Sequence, residues 1–326
     1  GMGACHAGKW PVIKSYWTAD ELVAAKFPEP RWAVPGLVCE GLTLLAGPPK
    51  VGKSWLSLGL GVAVAGGGRA LGSIPVDAGD VLYLALEDTG RRLKSRLVKV
   101  LHGEPAPSRL AFATYCEALP EGGLDRIDQW LIDHPDARLV MVDVLARVRG
   151  RIPANVPAYD VDYQALTGLK SVADQHQVGI IVVHHTRKAQ SEDYLDTVSG
   201  TQGLAGAADA VMVLRRDRGT ADAVLGVTGR DIEELEHALK FEPDLGAWRL
   251  LSGPASDYRL GDTRRDVLQY IRRHTDATPS EVARGLDIPE GTAKSTLSRM
   301  AKDGQLIVDG RGHYSDPATP HQPSIV

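Results

Sequence analysis

Gly47-Pro48-Pro49-Lys50-Val51-Gly52-Lys53-Ser54 decides how the rest of this chain is read. It carries the pattern G-x-x-x-x-G-K-[ST] at every fixed position. Ahead of it lies Gly41-Leu42-Thr43-Leu44-Leu45-Ala46, an apolar run of strand length. Behind it, Trp55 to Ala65 is long enough for three helical turns. A strand–loop–helix of this kind aims backbone N–H groups and a helix N-terminus at phosphate oxygens. Lys53 then reaches the β- and γ-phosphates, and the Ser54 hydroxyl holds Mg²⁺. Gly47 through Ser54, with Trp55 next to them, are therefore the candidate ATP-binding residues, with Mg²⁺ as the companion ion.

Working outward, strands and helices alternate from Leu37 to about residue 252. Gly79 to Leu86, Leu110 to Thr114, Arg138 to Asp143, Val178 to His185 and Ala210 to Leu214 read as strands. Thr89 to Leu101, Gly123 to His134, Ala158 to His176 and Gly203 to Ala207 read as helices. Continuous apolar strands in such an alternation predict a mostly parallel sheet covered on both faces, an α/β fold. Asp222 to Thr228 and Trp248 to Leu250 read as antiparallel strands at a sheet edge.

Several of these strands end in chemistry. Glu87 and Asp88 follow Leu86, where ligands of parallel sheets bind. A carboxylate at Glu87 would orient or deprotonate the water that attacks the γ-phosphate. The competing reading is a helix-capping acid, which suits Asp88 better. Asp143 ends Leu139-Val140-Met141-Val142 and is the candidate acid for the Mg²⁺ shell, acting through water. His184 and His185 end the next strand. Adjacent strand residues point to opposite faces, so the pair does not make a metal site. One could hydrogen-bond the γ-phosphate while the other packs. Arg147, Arg149 and Arg151, and then Arg187, Lys188 and Gln190 to Thr201, sit on polar loops that could track a nucleic-acid backbone or simply be solvated. Arg230 follows a late strand and is the candidate arginine finger for a neighbouring subunit, with an ion pair to Asp231 as the local alternative.

Composition bounds the rest. The chain has 326 residues, 43% hydrophobic, with a net charge of −4, so any nucleic-acid contact must use a local patch. Cys5, Cys39 and Cys116 form neither a metal spacing nor a disulfide framework, which suits a cytoplasmic protein. No segment reads as a signal peptide or membrane span. Residues 1–35 read as an N-terminal arm, with a helix capped by Thr18 and an extended Phe27 to Pro35. Residues 36–254 form the nucleotide-binding domain. Residues 260–315 change character: Asp262 to His274, Pro279 to Leu286 (capped by Thr278) and Pro289 to Lys302 read as three helices. Gln305 to Val308 and Gly312 to Tyr314 follow as a hairpin about Asp309-Gly310, completing a winged helix-turn-helix. Residues 316–326 read as a disordered tail.

Taken together, these residues resemble a RecA-like ATPase of the AAA family and the plasmid RepA type, akin to hexameric replicative helicases. The resemblance covers about residues 30–252. It rests on Trp32-Ala33-Val34-Pro35-Gly36-Leu37 before the phosphate loop, and on Val81 to Asp88 after it. It continues through Val142-Asp143, His184-His185-Thr186-Arg187-Lys188, Ser199-Gly200-Thr201, Gly206 to Asp209 and Gly229-Arg230-Asp231. It implies Lys53 and Ser54 on phosphate and Mg²⁺, Glu87 as catalytic base, Asp143 as Mg²⁺ acid, His185 as sensor and Arg230 as a finger acting across a subunit interface. Some relatives place a lysine two residues before the finger, where this chain has Thr228. The resemblance further implies a homo-oligomeric ring, usually a hexamer, around single-stranded DNA.

The C-terminal segment resembles winged helix domains. Its recognition helix would present Thr292, Lys294, Ser295, Ser298, Arg299 and Lys302 to duplex DNA, and its wing Arg311 and His313. Residues 261–315 hold nine Lys/Arg against eight Asp/Glu, a net of +1, so protein docking is the alternative use. The expected function is an ATP-driven motor or remodeller in the replication of a phage, plasmid or integrated element. The alternative is a nucleotide-gated DNA-binding regulator or helicase loader. A small-molecule kinase fits less well, because no lid or acceptor pocket is legible.

Overall fold

The structure is a computed structural model that describes residues 16–186, 202–216, 222–251, 262–309 and 311–317. The chain divides into two compact units, residues 1–30 and 31–326. In the first, α1 (Ala19–Ala24) starts with a capping box: the Thr18 hydroxyl accepts from the Glu21 amide, and the Glu21 carboxylate accepts from the Thr18 amide. Trp17 meets Phe27 edge-on within this unit.

The second unit opens with β1 (Trp32–Val34) paired with β2 (Val38–Cys39), an arrangement that buries Ala33 and Val34. The expected extended stretch thus joins the body from Arg31 onward.

The main sheet has nine strands. Its parallel part contains β3 (Gly41–Gly47), β6 (Asp80–Ala85), β7 (Leu110–Ala113), β8 (Ala137–Asp143), β9 (Gly179–His185) and β10 (Ala210–Arg216). These lie in the order β10-β3-β9-β8-β6-β7. On the far side of β10 the sheet continues antiparallel through β11 (Asp222–Gly229), β12 (Leu235–Glu242) and β13 (Ala247–Leu250). Of these, β12 was not legible. Glu236, His237, Lys240 and Glu242 interrupt its apolar residues, and only Ala238 and Leu239 are buried.

Period-two alternation feeds two cores from the same strands. Leu139, Met141, Ile181 and Val183 face the core that contains α2 (Lys53–Gly66) and α3 (Gly90–Leu101). Val140, Val142, Ile180 and Val182 face the core built by α4 (Gly123–Asp133) and α6 (Ala158–His176). Burial on both faces explains the uninterrupted apolar runs in the sequence. Helix α2 lies close against the sheet: a Cβ on Gly61 would come within 2.5 Å of the Met141 methyl. The loop expected after Asp143 begins instead as the short helix α5 (Leu145–Val148), fixed by buried Leu145 and Val148.

The C-terminal residues form α8 (Asp262–His274), α9 (Pro279–Leu286) and α10 (Glu290–Lys302), after α7 (Gln202–Ala207) in the body. A three-stranded sheet joins them, from Asp276–Ala277, Tyr314–Ser315 and Ile307–Val308. Their own core includes Val267, Ile271, Val282, Ala293, Leu297 and Met300. The hairpin does not turn tightly at Asp309-Gly310. The Asp309 amide donates to the His313 carbonyl, which leaves a three-residue connection, and the left-handed position falls on Gly312 (φ +81°). The Asp309 carboxylate accepts from the amides of Arg311 and His313 and stabilises this longer turn. Gly310 lies outside the described residues.

Candidate nucleotide site

Gly47, Asp143, His185 and the turn after Ala85 meet at one edge of the sheet. Register brings them there: Gly47 pairs with His185, and Ala85 pairs with Asp143. The phosphate loop needs left-handed backbone at Lys50 (φ +66°) and Gly52 (φ +109°). Only glycine suits the second position, since a Cβ there would lie 2.8 Å from the Trp248 ring. The Trp248 indole N–H donates to the Gly52 carbonyl at 3.1 Å. The last strand of the sheet thereby supports the loop.

Lys53 is 4% exposed, and its Nζ donates to the carbonyls of Gly47 at 2.6 Å and Pro48 at 2.9 Å. Burial pushes this ammonium down to about 8, opposed by the carboxylates of Asp143 and Glu87. Asp143 is 5% exposed. Its Oδ2 accepts from the Tyr83 hydroxyl at 2.8 Å, while the buried Oδ1 has no partner. Burial holds the Asp143 carboxyl above the usual range, opposed by Ser54 and Tyr83 beside it. A buried carboxylate oxygen without a donor, next to the Ser54 hydroxyl, fits a hard cation such as Mg²⁺.

Ser54, Ala85, Glu87, Asp88, Arg92, Arg96 and Asp143 line a cleft of about 240 Å³. The Glu87 carboxylate is flanked by His185 Nε2 at 3.7 Å and Arg147 Nε at 4.0 Å. His184 is more buried, and burial holds its imidazole below the ordinary value, opposed by Asp162. The two histidines thus separate as alternation requires, with His185 beside Glu87. Arg149 is tied to Asp162 at 2.9 Å and Arg151 is exposed. Arg187, Lys188 and the residues from Gln190 to Thr201 lie outside the described residues.

Asp88 is not a helix cap. Thr89 caps α3 by accepting from the Arg92 amide, and Asp88 binds Arg92 and Arg96 instead. Trp55 points away from the cleft's carboxylates. Its ring meets Phe241 at 6.1 Å and lies under Arg96, 5.4 Å from guanidinium to centroid.

Arg230 sits at the opposite edge of the sheet. Its amide donates to the Asp209 carbonyl, and the Asp209 amide donates to the Leu42 carbonyl near the start of β3. The guanidinium is 65% exposed and lies 3.5 Å from Asp209, so its local partner is Asp209 and not Asp231. Asp209 also accepts from Lys170 and from the Leu42 amide. Five strand residues, about 17 Å, separate this level from Gly47, more than an arginine spans.

Tyr83, Arg92, Arg96 and Trp248 are the site residues that sequence reasoning missed. Tyr83 left one signal, a hydroxyl in an otherwise apolar strand. The arginines left another, a spacing of four and eight residues from Asp88.

The parallel sheet, phosphate loop and strand-end acids define a RecA-like P-loop ATPase. A family model described as AAA domain matches residues 11–191, more than half of the chain, and the chain belongs to that family. Among solved structures, the chain resembles a separately solved ATPase domain at 16% identity. The TM-score is 0.54, covering 65% of this chain and 85% of that one. It also resembles a DnaB-like replicative helicase, described with its interactions with primase, at 16% identity and TM-score 0.53. That match covers 65% of this chain and 58% of that one. No curated protein sequence matches the chain. Among the described residues no helix is long and apolar enough to cross a membrane, and no cluster of His, Cys, Asp and Glu could hold a metal ion by itself.

Proposed function

We propose that this ATPase is a ring-forming motor of the replicative helicase type. In this reading it acts on DNA in the replication of a phage, plasmid or integrated element. The observation that carries the reading is the split of the candidate residues between two edges of one sheet. Lys53, Ser54, Glu87, Asp143 and His185 gather at one edge, while Arg230 is exposed at the other. An arginine that cannot reach its own site, on a chain that otherwise carries a full set, suits a head-to-tail assembly.

Within one site, Glu87 orients and deprotonates the attacking water. His185, beside it, senses the γ-phosphate. Lys53 turns from the loop carbonyls to the β- and γ-phosphates. Ser54 and, through water, Asp143 would hold Mg²⁺, which supplies charge neutralisation between the phosphates. Tyr83 holds Asp143 with its other oxygen free for that task. Arg230 of a neighbour offsets the charge that develops in the transition state.

The C-terminal helices and hairpin are read as a winged helix-turn-helix. Thr292, Lys294, Ser295, Ser298, Arg299 and Lys302 are all exposed on α10, as a duplex-reading face requires. A regulator or loader is the second reading. It is favoured by the loop after Asp143, where Arg147 and Arg149 are engaged by Glu87 and Asp162 rather than turned outward. Unwinding of a forked duplex with ATP decides between them. Strand separation supports the motor, and DNA binding with hydrolysis but no unwinding supports the switch.

A further inference from the structure

Asp88 is the one residue of the Glu87 turn without a task in that chemistry. Its side chain is 9% exposed, and both carboxylate oxygens are taken by arginines from α3. Arg92 Nε donates to Oδ1, and the same guanidinium donates through Nη2 to the Glu87 carbonyl. Arg96 Nη1 donates to Oδ2 at 2.6 Å while lying over the Trp55 ring. Trp55 immediately follows Ser54 on α2. One buried carboxylate therefore joins the backbone of Glu87, through Arg92, to the helix that carries Ser54, through Arg96. The turn has little else to hold it: the Asp88 amide reaches the Ala85 carbonyl at 3.3 Å and the Leu86 amide reaches the Asp143 carbonyl at 2.8 Å.

We propose that Asp88 is a positioning residue for hydrolysis. With Arg92 and Arg96 it forms a brace that fixes the Glu87 carboxylate relative to Ser54 and Asp143 across the cleft. The proposal rests on Glu87 being the base. General-base catalysis is sensitive to placement, and a displacement of about 1 Å costs about 100-fold in rate. Phosphate binding depends on the loop and Lys53, which the brace does not touch. Loss of the brace therefore lowers turnover and spares nucleotide affinity.

The test is steady-state ATP hydrolysis of the full chain together with binding of a fluorescent ADP analogue. Arg92→Ala is the main variant, since that side chain is 52% exposed and supports no core. Asp88→Asn is its partner. Both should lower kcat about 10- to 100-fold with analogue affinity within about threefold of wild type. Arg92→Lys should recover little, because an ammonium cannot bind Asp88 and the Glu87 carbonyl together. The brace is overturned if Arg92→Ala keeps kcat near wild type, or if analogue affinity falls in step with kcat. Glu87→Gln separates the two readings. If Glu87→Gln still turns over normally, the base assignment fails. If it is inactive while Arg92→Ala is fully active, only the brace fails.

Discussion

Replacing Lys53 with methionine should make the free protein more stable while abolishing its response to nucleotide. A lysine held at about 8 instead of 10.5 costs the fold about 3 kcal/mol in its charged form. Methionine fills similar space without that charge. The substitution removes the donor to the Pro48 carbonyl, worth about 1 kcal/mol. The Gly47 carbonyl keeps the Thr186 amide as a donor. The balance is a gain of about 1–2 kcal/mol at pH 7, or a rise in Tm of about 2–8 °C for a domain of this size. The pH dependence supplies an internal check. Between about 8 and 10.5 the unfolded chain binds the proton that folded Lys53 has lost, so wild-type stability rises with pH there. The penalty is complete below 8 and gone above 10.5. The advantage of Lys53→Met should therefore shrink by about 2 kcal/mol between pH 7 and 9.5. Thermal melts of both proteins across that range, with and without ADP and Mg²⁺, measure all of this. A variant less stable than wild type at pH 7, or a difference that does not change with pH, would refute the reasoning.

Other outcomes follow from the same geometry. Glu87→Gln should reduce ATP turnover about 10²- to 10⁴-fold while leaving ADP binding intact, as equilibrium titration would report. Arg230→Ala subunits mixed with Glu87→Gln subunits should regain part of the activity each lacks; inactivity at every mixing ratio counts against action in trans. Tyr83→Phe removes a hydrogen bond to a buried carboxylate, worth about 1.5–3 kcal/mol, and should raise the Mg²⁺ concentration needed for half-maximal hydrolysis. Substituting Lys294, Arg299 or Lys302 with alanine should weaken duplex binding and lower the salt slope by about one for each phosphate no longer neutralised; unchanged slopes would favour protein docking for this segment.

The parts of the site legible in the sequence are those written locally. The phosphate loop is a contiguous pattern, and Asp143 and His185 each close a run of apolar residues. Glu87 follows such a run within one turn. What sequence could not supply was partnership between distant segments. Asp88 resembles a cap because acids at helix starts commonly are caps, yet Thr89 takes that role and frees Asp88 for Arg92 and Arg96. Arg230 can be placed after a strand, but its distance from Lys53 depends on the strand order. The β12 strand escapes notice because its packing is one-sided and its sequence mixes charge with apolar residues. The turn near Asp309 is longer than a tight hairpin because the glycine pair Gly310 and Gly312 offers two registers, and the Asp309 carboxylate favours the longer one.

The support of Gly52 by Trp248 has a consequence for biosynthesis. The two residues are 196 positions apart, so an eight-residue motif near the front of the chain is finished by one of the last strands of its sheet. A ribosome that has released β3 and α2 has made the motif but not the site. Strand β10, which pairs with β3, and the aromatic ring under Gly52 both arrive well after the strands that carry Glu87 and Asp143. Pairings this long-range form late in folding. Nucleotide capture therefore marks completion of the whole sheet, and a truncated product ending before Trp248 carries the signature without the function.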